Sequence, residues 1–175
     1  MIARDGSVIG IDVGWSLVKR SSAICRLDWS GTSLSWETMR FRAVEPERKD
    51  LIAKVAGGRP ILAAAFDGPV RRGFDIIGRY RTAERMLTRR LRPLIGKPGQ
   101  SSAPVGRKLN HHANECVQHV IGQSDVRDAR HGVPIDRKAL VEAFPNSFLG
   151  MMIESPQRLM AHRGNRSDVF FCTSY

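Results

Sequence analysis

Val8-Ile-Gly-Ile-Asp-Val13 decides the architecture of this chain. It is a short run of β-branched residues and reads as a first strand. Gly14-Trp15-Ser16 makes a small turn, and Leu17 to Trp29 follows as a second extended segment. Ser30-Gly31 supplies a hairpin turn, after which Ser33 to Arg42 returns as a third strand with Leu34 and Trp36 on one face. Three consecutive strands joined by tight turns make an antiparallel meander.

The pattern then changes. Pro46, with Glu47 and Asp50 behind it, starts a helix, because proline suits the first helical position and acids suit the positive dipole end. Leu51, Ile52 and Val55 form its buried stripe, and Gly57-Gly58 ends it. Ile61 to Phe66 is a continuous apolar run, the kind found in strands buried on both faces. Phe74 to Leu91 repeats apolar residues at three- and four-residue steps (Ile76, Ile77, Tyr80, Ala83, Met86, Leu87, Leu91), which predicts a helix closed by Pro93. Lys97 to Gly106 reads as a loop, Leu109 to Ile121 as another helix, and Gln123 to Pro134 shows no period. Ala139 to Phe144 reads as a further buried strand, and Pro145 opens a helix through Phe148, Met151 and Met152. The order β-β-β-α-β-α-α-β-α defines an α/β chain.

At 175 residues, 42% hydrophobic and 26% charged, the chain suits one domain with a real core, which excludes disordered, collagenous and disulfide-rich classes. Lys+Arg 28 against Asp+Glu 17 gives +11, a balance that favours polyanionic partners. Cys25, Cys116 and Cys172 are odd in number and form no CxxC pair, so a reduced, cytoplasmic chain is expected. Charged residues arrive too early for a secretory leader, and the longest uncharged stretch, Ala143 to Ile153, is broken by Pro145 and too short to cross a bilayer.

Three carboxylates share one kind of location. Asp12 lies near the end of the first strand, Asp67 directly after the Ile61–Phe66 run, and Glu142 inside the Ala139–Phe144 run. An acid in an apolar strand is costly unless its charge is compensated, and the crevice at the strand ends of an α/β sheet is where ligands bind. Carboxylates gathered there are hard oxygen ligands for Mg2+ or Mn2+. Two such ions would activate a water and stabilise the leaving oxygen of a phosphodiester. Each acid taken singly could equally cap a turn or pair with an arginine.

Gly10-Ile-Asp12-Val-Gly-Trp15, Phe66-Asp67-Gly-Pro69, Arg71-Arg72-Gly-Phe-Asp75 and Val141-Glu142-Ala-Phe-Pro145 together resemble domain-of-unknown-function family 429, whose members are predicted nucleases of RNase H-like fold. The similarity runs from about Val8 to Ser147. It implies one RNase H-like domain over residues 1–175, a mixed sheet of an antiparallel three-stranded meander followed by parallel strands, flanked by helices. It also implies that Asp12, Asp67 and Glu142 stand where the family keeps its catalytic, metal-holding acids. The chain departs from the family in two places. Asn146 replaces a second acid after the proline of the Glu motif, and Asp168 is the late acid expected as a further metal ligand. The C-terminus is short for the family, so one metal is expected to bind firmly and a second poorly. Phe170 and Phe171 need burial, which makes a homodimer through the C-terminal apolar tail an expectation.

Most of the positive charge lies in one segment. Arg71 to Lys108 holds eleven basic residues against Asp75 and Glu84, a balance of +9. Arg81, Arg85 and Arg89 recur at four-residue steps with Arg92 beyond, and Arg71, Arg72, Arg107 and Lys108 flank them. Arginine forks match phosphate oxygens, so these residues are the expected nucleic-acid contacts, against the plainer alternative of a solvated helix face. No aromatic platform of the RNP type accompanies them. His111, His112 and His119 show no zinc-ligand spacing and are expected to have a structural or surface role, and Ser101-Ser102 has no base partner pattern. Three functions compete: a two-metal nuclease, a non-catalytic nucleic-acid-binding or interaction module with a degraded site, and an ATP- or phosphate-binding relative of the sugar-kinase and actin group. The last would use Asp12-Val-Gly14 and Asp67-Gly68 on phosphate, but needs two such domains.

Overall fold

The computed structural model describes residues 4–57, 60–71, 73, 75–91, 100–128 and 139–145. Three strands open the chain, β1 (Asp5–Asp12), β2 (Ser22–Ser30) and β3 (Ser33–Phe41), followed by α1 (Glu45–Ala56), β4 (Ala63–Asp67), α2 (Thr82–Leu91), α3 (Pro104–Gln123), β5 (Arg127–Asp128) and β6 (Ala139–Ala143). They form one six-stranded mixed sheet in the order β3-β2-β1-β4-β6-β5, whose outermost strand has only two residues. β1 to β3 pair antiparallel, while β1, β4, β6 and β5 run parallel. The α/β class, and the meander followed by parallel strands, are those the sequence predicts.

The meander turns at Gly31, whose φ of 57° is easy for glycine and strained for other residues. Along β1 every second side chain, Ser7, Ile9 and Ile11, is buried. Ile9 and Ile11 join Ile24, Phe41 and Phe66 in the core, with Ile52 and Val55 of α1 and Cys116, Val117 and Val120 of α3 in the same cluster. Both helices thus cover one face of the sheet and touch each other. Arg26 ties the layers together. It is only 6% exposed, its Nη1 donates to the carbonyls of Val55 (2.9 Å) and Gly57 (2.8 Å), and its Nε pairs with Asp28 (3.0 Å). A buried cation there satisfies the orphan carbonyls at the end of α1 and complements the helix dipole.

Several boundaries differ from the sequence reading. The second strand begins at Ser22 rather than Leu17; Leu17 and Val18 are exposed instead, because Ser16 Oγ accepts the N–H groups of Val18 (3.3 Å) and Lys19 (2.8 Å) and turns the backbone away from the ladder. The strand expected over Ile61–Phe66 runs from Ala63 to Asp67, so Asp67 belongs to it. The helix expected from Phe74 begins at Thr82. Glu84 accepts the N–H of Arg81 (3.0 Å), a capping contact that fixes the helix start, and Gly78 upstream has a φ of 95°. Ile76, Ile77 and Met86 of the expected stripe are exposed, while Glu84 is buried. The loop ending at Gly106 is shorter and the next helix longer, because Pro104 pre-sets the first turn of α3. Leu34 and Trp36 do share a face, but it is an exposed one. The helix after Pro145 and the C-terminal tail lie outside the described residues.

Candidate active site

β1 and β4 are adjacent parallel strands that end together, and Asp12 and Asp67 are register partners at that end. Register partners share a face, so the two carboxylates emerge side by side. The Val13 N–H donates to the Asp67 carbonyl (3.3 Å), which carries the pairing one residue further. Asn110 and Asn114 of α3 hold the following turn through the carbonyls of Pro69 (2.7 Å) and Val70 (3.0 Å). The two strand ends are therefore fixed from both sides.

Their electrostatics are those of a strained pair. Burial, with the charge of Asp12 beside it, pushes the Asp67 carboxyl up to about 6. Burial raises Asp12 as well, partly offset by Arg40. Arg40 sits two strands away in the same row, since Asp12 pairs with Ala23 and Ala23 with Arg40. Neither Asp12 nor Asp67 makes a side-chain hydrogen bond or ion pair among the described residues.

Glu142 is placed differently. On β6 it is the register partner of Phe66, not of Asp67, so it leaves the sheet toward the opposite face. Its carboxylate is fully engaged. Oε1 pairs with Arg81 Nη2 (2.5 Å), and Oε2 accepts from Arg81 Nη1 (2.9 Å) and from the N–H groups of Val70 (3.0 Å) and Arg71 (3.4 Å). Arg81 also donates through Nε to Glu84 (2.9 Å), which accepts the Ser101 N–H (3.1 Å). Burial raises the Glu84 carboxyl, but the bonds from Ser101 and Arg81 outweigh it and hold the group below its ordinary value. A cavity of about 220 Å3 lies between this network, Asp67, Leu87 and Leu109.

The structure thus joins Asp12 to Asp67 and ties Glu142 to Arg81. Of the expected nucleic-acid contacts, Arg71, Arg85, Arg89 and Lys108 are exposed. Arg81 is consumed by the two glutamates, and Arg107 donates to the carbonyls of Ser102 (3.1 Å) and Asp75 (2.5 Å). Arg72, Arg92, Asn146 and Asp168 lie outside the described residues.

One further cluster sits on α3. His112 Nδ1 (3.1 Å), His111 Nε2 (3.6 Å) and the buried Arg48 Nη2 (3.0 Å) all approach the same oxygen of Glu115. The ligand atoms of His111, His112 and Glu115 lie within 4.8 Å of one another, yet Arg48 already supplies the positive charge that a metal would bring. Burial lowers His112 and His119, and pushes the Cys116 thiol up to about 12, which makes that thiol unreactive at neutral pH.

Sequence reasoning missed Arg40 and the Arg81–Glu142 pair. Arg40 could have been found by folding the hairpin about Gly31 and counting across the ladder. Arg81 could not, because it depends on where α2 begins. Compared with known proteins, the chain matches no protein-family model, no curated protein and no solved structure. The resemblance to family 429 therefore rests on its motifs alone. Among the described residues no helix is long and apolar enough to cross a membrane.

Proposed function

We propose that the chain is a metal-dependent phosphodiesterase, a nuclease of RNase H-like type, in which Asp12 and Asp67 hold Mg2+ or Mn2+. The observation that carries this reading is the Asp12–Asp67 pair: two in-register carboxylates at parallel strand ends, both raised, neither hydrogen-bonded nor ion-paired through its side chain among the described residues. Two hard oxygen donors that repel each other and have no described counter-ion suit a divalent cation. Such an ion, when bound, activates water and stabilises a phosphodiester leaving oxygen.

The chain's own residues do the rest. Asp67 presents an ionised carboxylate once pH exceeds about 6, and Asp12, itself raised by burial, stands beside it. Glu142 and Arg81 fix the turn after β4 and the start of α2 beside that pair. Arg85, Arg89 and Lys108 remain available to phosphates, and nucleic acid is the partner that the +11 charge favours. Three cysteines that form no CxxC pair support a reducing, cytoplasmic setting for this activity.

A non-catalytic nucleic-acid-binding module is the second reading, favoured because Arg81 occupies the carboxylate of Glu142. Cleavage of DNA and RNA oligonucleotides with Mg2+ or Mn2+ separates the two. The hydrolase reading expects metal-dependent cleavage that Asp67→Asn lowers at least a hundredfold. Binding without cleavage under any metal supports the module instead.

A further inference from the structure

The helices α1 and α3 cover one face of the sheet, and the opposite face carries the Asp12–Asp67 pair. Register divides that second face into rows. One row runs Arg40, Ala23, Asp12, Asp67 and Ala143; the next runs Thr38, Cys25, Gly10, Ala65 and Val141. A third begins with Trp36 and Leu27, and Leu34 and Trp29 lie beyond it. Trp36 is 70% exposed and Leu34 58%, on an edge strand. The floor between them and the acids is built of small residues, and the space a Cβ would occupy at Gly10 is open. Arg40 is exposed and makes no hydrogen bond or ion pair among the described residues.

We propose that this open face is a track for single-stranded nucleic acid leading to Asp12 and Asp67, with Trp36 as its stacking platform and Arg40 as a phosphate contact. The proposal rests on the phosphodiesterase reading and adds the substrate class. An exposed indole on a sheet face stacks an unpaired base, and a duplex keeps its bases stacked on each other. Trp36 lies four residues from Arg40, about 13 Å along the strand, and two strands, about 10 Å, from β1. A few nucleotides span that interval, with Arg40 between the stacked base and the acids. Ala23 and Cys25 carry small side chains and the space over Gly10 is open, which keeps the row between Trp36 and the acids low. Charge supports the same occupant: Arg40, on this face, is exposed and is engaged in no hydrogen bond or ion pair among the described residues.

The test uses the full chain carrying Asp67→Asn, without metal, and fluorescence anisotropy with a single-stranded oligonucleotide and its hairpin duplex. The track predicts tighter binding of the single strand. It predicts that Trp36→Ala weakens it about tenfold, and that Trp36→Phe keeps most of the affinity. Arg40→Ala weakens it and lowers the salt slope by about one. Unchanged affinity in Trp36→Ala, or preference for the duplex, overturns the track while leaving hydrolysis at Asp12 and Asp67 standing. A dimer that dissociates on Trp36→Ala also overturns it, since the face would then be covered by a second copy. Cleavage that survives Asp67→Asn in the presence of metal removes the assignment of hydrolysis to Asp12 and Asp67, and the destination of the track with it.

Discussion

Two groups of acids stand at the same end of the sheet, and they are treated in opposite ways. Glu84 and Glu142 close around Arg81, with backbone N–H groups from Val70, Arg71, Arg81 and Ser101 filling their remaining oxygens. Asp12 and Asp67 have each other and a distant Arg40. A carboxylate in the first group is satisfied and holds three chain segments together. In the second group the fold brings two like charges together with no hydrogen-bond or ion-pair partner among the described residues, a cost that a purely structural role would not require. The difference separates an architectural acid from the pair to which the proposed cation site is assigned.

The largest effect should come from breaking the satisfied group. Arg81→Ala leaves Glu84, 5% exposed, and Glu142, 33% exposed, without their cation. Loss of about 2 to 4 kcal/mol in urea unfolding is expected, toward the lower end if water reaches Glu142. The same measurement on Arg85→Ala and Arg89→Ala should change stability by about 0.5 kcal/mol or less, since both are exposed. Comparable losses at all three positions would erase the distinction between Arg81 and its helix neighbours.

A smaller effect of the opposite sign sharpens the comparison. The folded Asp67 carboxyl is raised from 3.8 to about 6. The folded state therefore binds more protons than the unfolded state between those values, and stability falls as pH rises through the window. Asp67→Asn should remove that slope and stabilise the chain at pH 7.5 by about 1 to 2 kcal/mol, after allowing for solvent screening. Below pH 4 the variant and the parent should differ little. A destabilised Asp67→Asn at pH 7.5 would show that the pair is held by attractive contacts after all.

This contrast was half legible in the sequence. Hydropathy and turn residues placed Asp12 and Asp67 at strand ends, and parallel pairing of neighbouring strands then makes them meet. The meander and α1 could be read because their signals are local: Gly31 at the turn, Pro46 at the helix start, Gly57 at its end. Glu142 could not be placed, because a one-residue offset in register sends it to the other face, and nothing in Ala139–Ala143 states that offset. Arg81 looked like one tooth of a basic helix. Its capture by two glutamates depends on Gly78 and Glu84 stopping the helix at Thr82, where the apolar spacing suggested that it continued.

Carboxyl-detected NMR titration of Asp67 with and without Mg2+ asks whether Asp12 and Asp67 form a cation site. Such a site gives a midpoint near 6 without metal, displaced downward by Mg2+ because the ion competes with the proton, while Glu142 stays unresponsive to the metal. An Asp67 that titrates near 3.8 and ignores Mg2+ would contradict it.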